Sequence, residues 1–329
     1  MGIKYAILGG GGSFAIHTSF YLLDQEDTEL VVGIGRNPLR EEMFSLNIDK
    51  KKKYKYLTYH IYYEMDLMLE QLDQLKPDII ICYAAQGEGA VSWKNSWRFF
   101  ETNSVALTKL VEELSKRNYL KNFIQIGTSE LYGSVASPSK EESQVLPSSP
   151  YAASKLAFDY YLLSAFKFLK FPMNIIRPSN AYCSGQLLHR IVPRSVVSGL
   201  LKQKVPLHGG GKAEKSYIHA KDLAEAIYLV VKKGKTGEVY NVGPDKPISI
   251  KDLCLKISDC LNVNFDSLYD ISDDRLGQDS RYWLNSDKIK NLGWSQKIEL
   301  QEGILEVRKW AEKYLDSLAL ASKNYVMRG

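Results

Sequence analysis

The feature that most constrains this fold is a run of four glycines that follows a short apolar segment at the start of the chain. Lys4–Leu8 is a candidate strand, and Gly9–Gly12 then lead into a helical pattern that ends near Leu23. In this G-x-x-G-x-x-A pattern Gly9 permits a tight turn, Gly12 lets the backbone approach a pyrophosphate, and Ala15 allows helix and strand to pack closely. The helix N-terminus adds N–H groups and a positive dipole end. The segment therefore predicts a dinucleotide site, to which we assign Gly9, Gly12, Ser13 and Phe14.

The rest of the first half alternates short apolar runs with helical patterns, which is typical of a parallel sheet with crossover helices. Five more strands are predicted, at Glu29–Ile34, Thr58–Tyr63, Asp78–Tyr83, Asn122–Ile126 and Met173–Ile176. Helices between them include Ser104–Arg117 and Pro150–Phe166. This order favours an α/β fold with a doubly wound, Rossmann-like parallel sheet.

The pattern changes after Pro178, where loops rich in glycine and lysine replace the alternation. A helix at Lys221–Lys232 and a strand at Val239–Val242 then return to it. We therefore expect residues 1–177 with about 215–245 to form a dinucleotide-binding domain. Residues 178–214 with about 246–329 are expected to form a second, smaller α/β lobe that holds the substrate.

Composition narrows the class of protein and its surroundings. With 329 residues, 45% apolar and 25% charged, the chain can bury a large core without disulfides or metals. The net charge of +5 is mild, and the basic run Lys50–Lys53 is interpreted as a solvated loop, so no nucleic-acid partner is expected. The four cysteines show no metal or redox spacing, and no signal or membrane segment is visible. We expect a cytoplasmic protein with no metal and no membrane partner.

The end of the second strand bears on the choice between NAD and NADP. NAD enzymes usually carry an acidic residue there for the ribose 2′-hydroxyl. This chain has Gly35 followed by Arg36, whose guanidinium could bind a 2′-phosphate through two hydrogen bonds. NADP is therefore the favoured cofactor, with NAD as the alternative. The simpler interpretation of Arg36 is that it is an ordinary surface cation on a loop.

Three later segments carry the candidate chemistry, one in a predicted helix and two directly after predicted strands. Tyr151 and Lys155 have the Y-x-x-x-K spacing that places both side chains on one face of a helix. Gly127–Gly133 follows the fifth strand, and Arg177–Tyr182 follows the sixth. A phenol with a pKa of about 10 needs a nearby cation to act as a base near neutrality, so the Tyr–Lys pair makes chemical sense.

Together with Asp66, the Ala84–Ala85 pair and Asn103, these segments resemble the extended short-chain dehydrogenase/reductases over nearly the whole chain. The resemblance implies that Tyr151 is the acid/base, and that Lys155 holds the nicotinamide ribose and lowers the pKa of Tyr151. It also implies that Thr128 hydrogen-bonds the substrate oxygen. Asp66, Ala84 and Ala85 join the cofactor site, and a homodimer is expected because relatives pair the corresponding helices. Asn103 corresponds to the asparagine that this family has in its fourth helix, and here it is expected to have only a structural role.

The second half resembles the nucleotide-sugar branch of that family. The resemblance implies that Asn180 lies near a sugar diphosphate and that Arg281, within Gly277–Tyr282, contacts it. Lys215 stands where relatives have arginine, and a lysine can still neutralise phosphate without the fork of a guanidinium. Cys183 is another departure, because glycine is usual there. A nucleotide sugar is the expected substrate, with neither the base nor the sugar fixed.

The segment Thr128-Ser129-Glu130-Leu131-Tyr132-Gly133 is similar to that of GDP-mannose 4,6-dehydratases, whereas dTDP-glucose 4,6-dehydratases have Thr-Asp-Glu. After oxidation at C4, a carboxylate can remove the acidified C5 proton, and water then leaves from C6. Glu130 is the expected base, and Ser129 completes the catalytic set of Thr128, Glu130, Tyr151 and Lys155. A structural cap or salt bridge at Glu130 is the alternative. A decarboxylase, a 4-epimerase, a C4 dehydrogenase and an NADP-binding regulatory protein also remain open.

Overall fold

The computed structural model describes residues 2–273 and 279–325. Its strands are β1 Ile3–Leu8, β2 Thr28–Gly35, β3 Tyr54–Thr58, β4 Ile79–Cys82, β5 Asn122–Ile126, β6 Met173–Pro178, β7 Asn180–Tyr182, β8 Val205–His208, β9 Glu214–Lys215, β10 Tyr217–His219, β11 Val239–Val242, β12 Ile248–Ser249, β13 Tyr269–Ser272 and β14 Arg281–Tyr282. Its α-helices are α1 Ser13–Leu23, α2 Glu42–Ser45, α3 Met65–Leu75, α4 Ser96–Phe100, α5 Leu107–Leu114, α6 Pro150–Leu169, α7 Ile191–Leu200, α8 Ala220–Lys233, α9 Ile250–Leu261, α10 Phe265–Leu268, α11 Asp287–Lys290, α12 Leu300–Lys313 and α13 Leu315–Leu320. Short 3₁₀ turns occupy Ile48–Lys50, Val91–Trp93, Ser129–Tyr132 and Gly209–Gly211, and a π-helix occupies Glu101–Ala106.

The main sheet has seven strands in the order β11-β6-β5-β4-β1-β2-β3. Every neighbouring pair in it is parallel. Strands such as β4 and β5 are buried along their whole length because helices cover both faces of the sheet. The predicted doubly wound, Rossmann-like α/β fold is confirmed.

The third strand was predicted wrongly at Thr58–Tyr63, because the strand lies at Tyr54–Thr58. The alternating tyrosines of the predicted segment imitate a half-buried strand. The backbone instead turns at His60, whose Nδ1 accepts hydrogen bonds from the N–H groups of Tyr62 and Tyr63, both at 3.2 Å. A side chain that satisfies backbone donors in this way competes with strand pairing.

A second group of elements forms an apolar cluster of its own. Three small sheets pair β10 with β7, β12 with β9 and β14, and β13 with β8. Helices α7, α9 and α12 enclose an apolar cluster with them, which includes Val196, Leu253, Ile304 and Trp310. None of the helices within residues 2–273 and 279–325 combines the length and apolar character that crossing a membrane requires.

The topology decides where a site can form. Loops that follow the carboxyl ends of parallel strands meet at one edge of the sheet, and the crevice lies where the strand order reverses. Here the reversal lies between β1 and β4, which both pair along the middle of the sheet. The glycine turn after β1 and the loops after β4, β5 and β6 therefore converge beneath the smaller sheets.

Candidate active site

The glycine turn between β1 and α1 is forced by close backbone packing. Gly9 has φ +77°, and a Cβ there would lie 2.7 Å from the Ala84 nitrogen. A Cβ on Gly10 would lie 2.6 Å from the Gly33 Cα. The turn closes with a hydrogen bond from the Gly12 N–H to the Gly9 carbonyl at 3.0 Å, and α1 begins at Ser13. Side chains at Gly9 and Gly10 would separate the strands, so these glycines give the backbone a shape that fits a dinucleotide pyrophosphate.

The end of β2 holds a glycine for a steric reason. A Cβ on Gly35 would collide with the Tyr56 hydroxyl, which donates to the Asn37 carbonyl at 2.8 Å. Arg36 lies close enough to His60 that its charge adds to burial in lowering the pKa of that histidine. Asp66 lies in the first turn of α3 with an exposed side chain. Neither Arg36 nor Asp66 lines the cavity that lies between the carboxyl ends of the strands and the smaller sheets.

The main cavity has a volume of about 390 Å³ and lies between the carboxyl ends of the strands and the smaller sheets. It is lined by many of the residues chosen from the sequence, namely Phe14, Ala85, Thr128, Ser129, Glu130, Tyr151, Lys155, Asn180 and Lys215. The Oγ of Ser179 and the Oδ1 of Asn180 border it, buried and without a hydrogen-bond partner in the described part of the chain. Buried polar atoms are normally satisfied, so these two indicate a polar ligand in the cavity.

Tyr151 lies in the first turn of α6, whose start is fixed by the Ser149 hydroxyl accepting from the Ala152 N–H at 3.1 Å. Burial and the charge of Glu130 raise the pKa of Tyr151. A hydrogen bond from Thr128 and the charge of Arg190 oppose that rise in the pKa. The Thr128 and Tyr151 hydroxyls therefore lie within hydrogen-bond distance of each other.

Lys155 is 2% exposed, and its Nζ donates to the Ile126 carbonyl at 2.7 Å. Burial lowers the pKa of Lys155. Arg190 is the cation that opposes the raised pKa of Tyr151, and the lowering of that pKa by Lys155 stays a prediction. The Lys155 ammonium is turned toward the end of β5, where the Ile126 carbonyl accepts its hydrogen bond.

Glu130 lies in the 3₁₀ turn after β5, and its N–H donates to the Thr128 Oγ1 at 3.2 Å. A Cβ on Gly89 would lie 3.0 Å from the Glu130 Oε2, so the carboxylate reaches the loop after β4. Within residues 2–273 and 279–325 this carboxylate makes no hydrogen bond or ion pair. Burial raises the pKa of Glu130, while Lys215 and Arg190 lower it. The structural-cap alternative therefore finds no support among the described contacts, and the geometry suits a base.

The paired strands β9 and β14 send neighbouring side chains to opposite faces. Lys215 and Tyr282 line the main cavity, with the ammonium 5.0 Å from the ring centroid. Arg281 is ion-paired with Glu214 and lines a separate hollow with Lys212. The structure therefore does not bring Arg281 to the other site residues. Gly277 and Gln278 of the predicted segment lie outside the described residues.

Glu88, His189 and Arg190 are among the cavity residues that were missed in the sequence. Glu88 pairs with Arg190, with 3.2 Å between its Oε2 and the Nη1, and it lies 4.0 Å from the His189 Nε2. All three line the cavity. A charged residue between Gly87 and Gly89, in the loop that follows the buried strand β4, is the signal that could have identified Glu88. Within the part of the chain that the structure describes, no group of three His, Cys, Asp or Glu side chains is placed to hold a metal.

Comparison with known proteins places this geometry in a family. Residues 5–243 match the model of the NAD dependent epimerase/dehydratase family. The chain is 29% identical to dTDP-D-glucose 4,6-dehydratase of Bos taurus over 93% of its own length and 88% of that protein. It is 28% identical to a trifunctional UDP-glucose 4,6-dehydratase, 3,5-epimerase and reductase of Arabidopsis thaliana, covering 92% of this chain and only 46% of that longer relative.

The fold also matches a solved structure. The crystal structure of dTDP-glucose 4,6-dehydratase from Bacillus anthracis in complex with NAD superposes with a TM-score of 0.86 at 26% identity. The match covers 95% of this chain and 98% of that one. The similarity therefore extends over both the large sheet and the smaller sheets.

Proposed function

Because the chain belongs to the NAD dependent epimerase/dehydratase family, we propose that it is a nucleotide-sugar 4,6-dehydratase that converts a nucleoside-diphosphate hexose into the 4-keto-6-deoxy sugar and water. The observation that carries this proposal is the Glu130 carboxylate. It reaches into the same cavity as Tyr151 and Thr128, and no cation is paired with it among the described residues. An acid or base beside the Tyr–Thr pair is what elimination needs in addition to oxidation at C4.

The proposed cofactor is a tightly bound nicotinamide dinucleotide. When bound, this cofactor would supply a hydride acceptor for C4, a positive charge in the site and a hydride donor for C6. The glycine turn at Gly9 and Gly12 fits its pyrophosphate, and Phe14 and Ala85 border the cavity nearby. The relative crystallised from Bacillus anthracis holds NAD. Gly35 followed by Arg36 supports NADP for this chain, because no carboxylate stands there to repel a 2′-phosphate.

The chain's own groups account for the proton movements. Tyr151 takes the proton of the C4 hydroxyl while Thr128 hydrogen-bonds that oxygen. Glu130 then removes the C5 proton and protonates the departing C6 hydroxyl, so that water leaves and a C5–C6 double bond forms. When hydride reaches C6, C5 takes up a proton from solvent, which balances the C4 hydroxyl proton that Tyr151 took and releases to solvent. Lys155 holds the ribose of the cofactor, and Ser129 completes the turn that carries Glu130.

Substrate binding is assigned to the smaller lobe. Lys215 and Asn180 border the cavity and supply a cation and an unsatisfied amide oxygen. Arg281 stays in the proposal as a diphosphate contact that requires its pair with Glu214 to open. We also propose that residues 178–214 and about 246–329 form the nucleotide-sugar lobe. The proposed location of the protein is the cytoplasm.

A homodimer is the proposed assembly. Large apolar side chains are exposed on α4, on α6 and on the 3₁₀ turn before α4, with Trp97 60%, Tyr160 52% and Trp93 54% exposed. Val105 in the π-helix is exposed as well. Exposed apolar surface of this extent is typical of an interface. Sedimentation of wild type as a dimer and of Trp97→Glu as a monomer supports this assembly, and a monomeric wild type contradicts it.

The test of the reaction is Glu130→Gln, which keeps the size of the side chain but cannot take a proton. Elimination should fall by about 10²- to 10⁴-fold, as expected for loss of a general base, while hydride transfer from C4 survives. The variant should accumulate reduced cofactor and a 4-keto sugar that retains its C6 hydroxyl. Glu142→Gln is the matched control, because Glu142 is exposed and does not line the cavity. A Glu130→Gln enzyme that still forms 6-deoxy sugar at the wild-type rate rules out the mechanism.

A further inference from the structure

The loop that follows β4 is held firmly at its base. Asn103 accepts a hydrogen bond from the Gln86 N–H at 2.7 Å and donates to the Gln86 carbonyl at 3.0 Å. Its amide also donates to the Ser154 hydroxyl at 3.0 Å, which ties the loop to the helix of Tyr151. On the other side, Ser92 donates to the Gly89 carbonyl at 2.6 Å and accepts from the Tyr151 N–H at 3.2 Å. The path of the loop between these anchors is therefore fixed relative to α6.

Glu88 lies at the tip of this loop in an unusual backbone conformation. Its φ is +111°, a region that residues with a Cβ rarely adopt, and it is flanked by Gly87 and Gly89. Such an outlier persists where the surroundings hold it, and outliers of this kind cluster at functional sites. A glycine would adopt the same backbone without strain, so the side chain at this position requires an explanation.

The side chain of Glu88 reaches across the cavity. Its carboxylate pairs with Arg190, the residue that caps the start of α7 on the far side of the cavity. The carboxylate is 16% exposed and the guanidinium 40% exposed. Burial and the charge of Arg190 lower the pKa of the neighbouring His189 to about 4, so at neutral pH Arg190 is the cation that holds Glu88. The pair therefore connects the loop after β4 to the smaller lobe.

We propose that Glu88 is a positioning residue of the dehydratase reaction, which pairs with Arg190 across the cavity and together with it sets the charge that the base Glu130 faces. This inference rests on the proposed function. Two substitutions should act in opposite directions, because the members of the pair carry opposite charges and both face the same carboxylate. A role that only held the loop in place would make both substitutions act alike.

The electrostatics of the cavity agree with this role. Glu88 raises the pKa of Glu130 and Arg190 lowers it. Glu88 also raises the pKa of Tyr151, and Arg190 lowers it. The charged and titratable groups that face Glu130 come from several elements, and they are Glu88, Tyr151, Arg190, Lys215, Asp279 and Tyr282.

The test measures the ionisation of Glu130 itself, by ¹³C NMR of the full chain with labelled glutamate. The Glu130 signal is identified by its loss in Glu130→Gln. We expect Glu88→Gln to lower the midpoint of the Glu130 titration by about 0.5 to 1 pH unit and Arg190→Gln to raise it by a similar amount. Glu142→Gln, which removes the same charge at an exposed position, should leave the midpoint within error of wild type.

Shifts of the Glu130 midpoint in opposite directions in Glu88→Gln and Arg190→Gln support the inference. Shifts in the same direction, or no shift in either variant, overturn it. Glu88→Gly guards against misfolding, because glycine accepts the φ of +111° and should give the same downward shift with no loss of thermal stability. In turnover, the acidic limb of the pH profile for elimination should move with the Glu130 midpoint. The NMR titration needs no substrate, so failure of the proposed function appears separately, as a wild-type protein that forms no 4-keto-6-deoxy sugar.

Discussion

Removing Arg177 should destabilise the protein strongly, because it leaves a buried carboxylate without its cation. Arg177 on β6 pairs with Asp159 on α6 at 3.1 Å between Nε and Oδ2, and the side chains are 3% and 0% exposed. The guanidinium also donates to the Tyr132 hydroxyl at 2.9 Å and to the Glu141 carbonyl at 3.2 Å. The second oxygen of Asp159 has no partner among the described residues.

Breaking a buried pair of this kind by removing one member typically costs about 3 to 5 kcal/mol, and we expect Arg177→Met to fall in that range. Equilibrium unfolding in urea, followed by fluorescence and circular dichroism together, gives the free-energy difference. Adding Asp159→Asn to Arg177→Met removes the unpaired carboxylate charge. The double variant should therefore recover at least about 1 kcal/mol of the lost free energy of unfolding. The pair lies directly under the loop of Thr128, since a Cβ on Gly127 would lie 3.1 Å from the Arg177 Cγ.

The sign of the pH dependence provides a further check. Burial raises the pKa of Asp159, and Arg177 opposes that rise in the pKa. Without Arg177 the folded-state pKa rises further above the unfolded value, so the variant gains stability as the pH falls through the new pKa. The deficit of Arg177→Met should therefore be larger at pH 8 than at pH 5. A deficit below about 1 kcal/mol at pH 8, or one that grows on acidification, refutes the reasoning.

Three other predictions concern single residues. Tyr151→Phe should fold normally yet lower the first hydride transfer, measured as absorbance near 340 nm on mixing with substrate, by at least about 10²-fold; an active variant would remove Tyr151 from its role. Arg36→Ala should weaken NADP binding by about 1 to 3 kcal/mol and leave NAD binding nearly unchanged in fluorescence titrations, and equal behaviour toward both refutes the NADP assignment. Burial lowers the pKa of both His17 and His219 below the usual 6.5, so the unfolded state binds more protons below about pH 6.5. The free energy of unfolding should therefore fall by about 1 to 3 kcal/mol between pH 7 and pH 4.5, and less in His219→Gln; a stability that is flat over this range contradicts the burial of neutral histidines.

Most of the fold follows from local patterns. Buried strands such as Ile79–Cys82 are apolar without interruption, and any side chain at Gly9 or Gly10 in the turn after β1 would collide with neighbouring backbone. The third strand was misplaced because a local hydrogen bond from backbone to His60 competes with an alternating pattern. Hydropathy carries no information about such a bond.

The site was predictable where its residues follow strand ends and not where it depends on long-range pairing. Thr128, Glu130 and Tyr151 share the cavity because β5 and α6 bring them to the same sheet edge. Arg281 faces away because the register of β14 on β9 places it beside Glu214, and that pairing joins segments far apart in sequence. Glu88 was missed for the same reason, since its partner Arg190 belongs to a distant helix.

The most direct test of the central claim is to follow the hydrogen at C4 during turnover. The full chain is incubated with GDP-, dTDP-, UDP- and CDP-hexoses that carry deuterium at C4, and the products are analysed by mass spectrometry and NMR. A 4,6-dehydratase yields, from at least one of them, a 4-keto sugar that has lost water and carries the C4 deuterium at C6. In deuterated solvent, an unlabelled substrate gains deuterium at C5. Inversion at C4 alone, recovery of every hexose unchanged, or release of carbon dioxide from a nucleotide uronic acid tested in parallel contradicts the account.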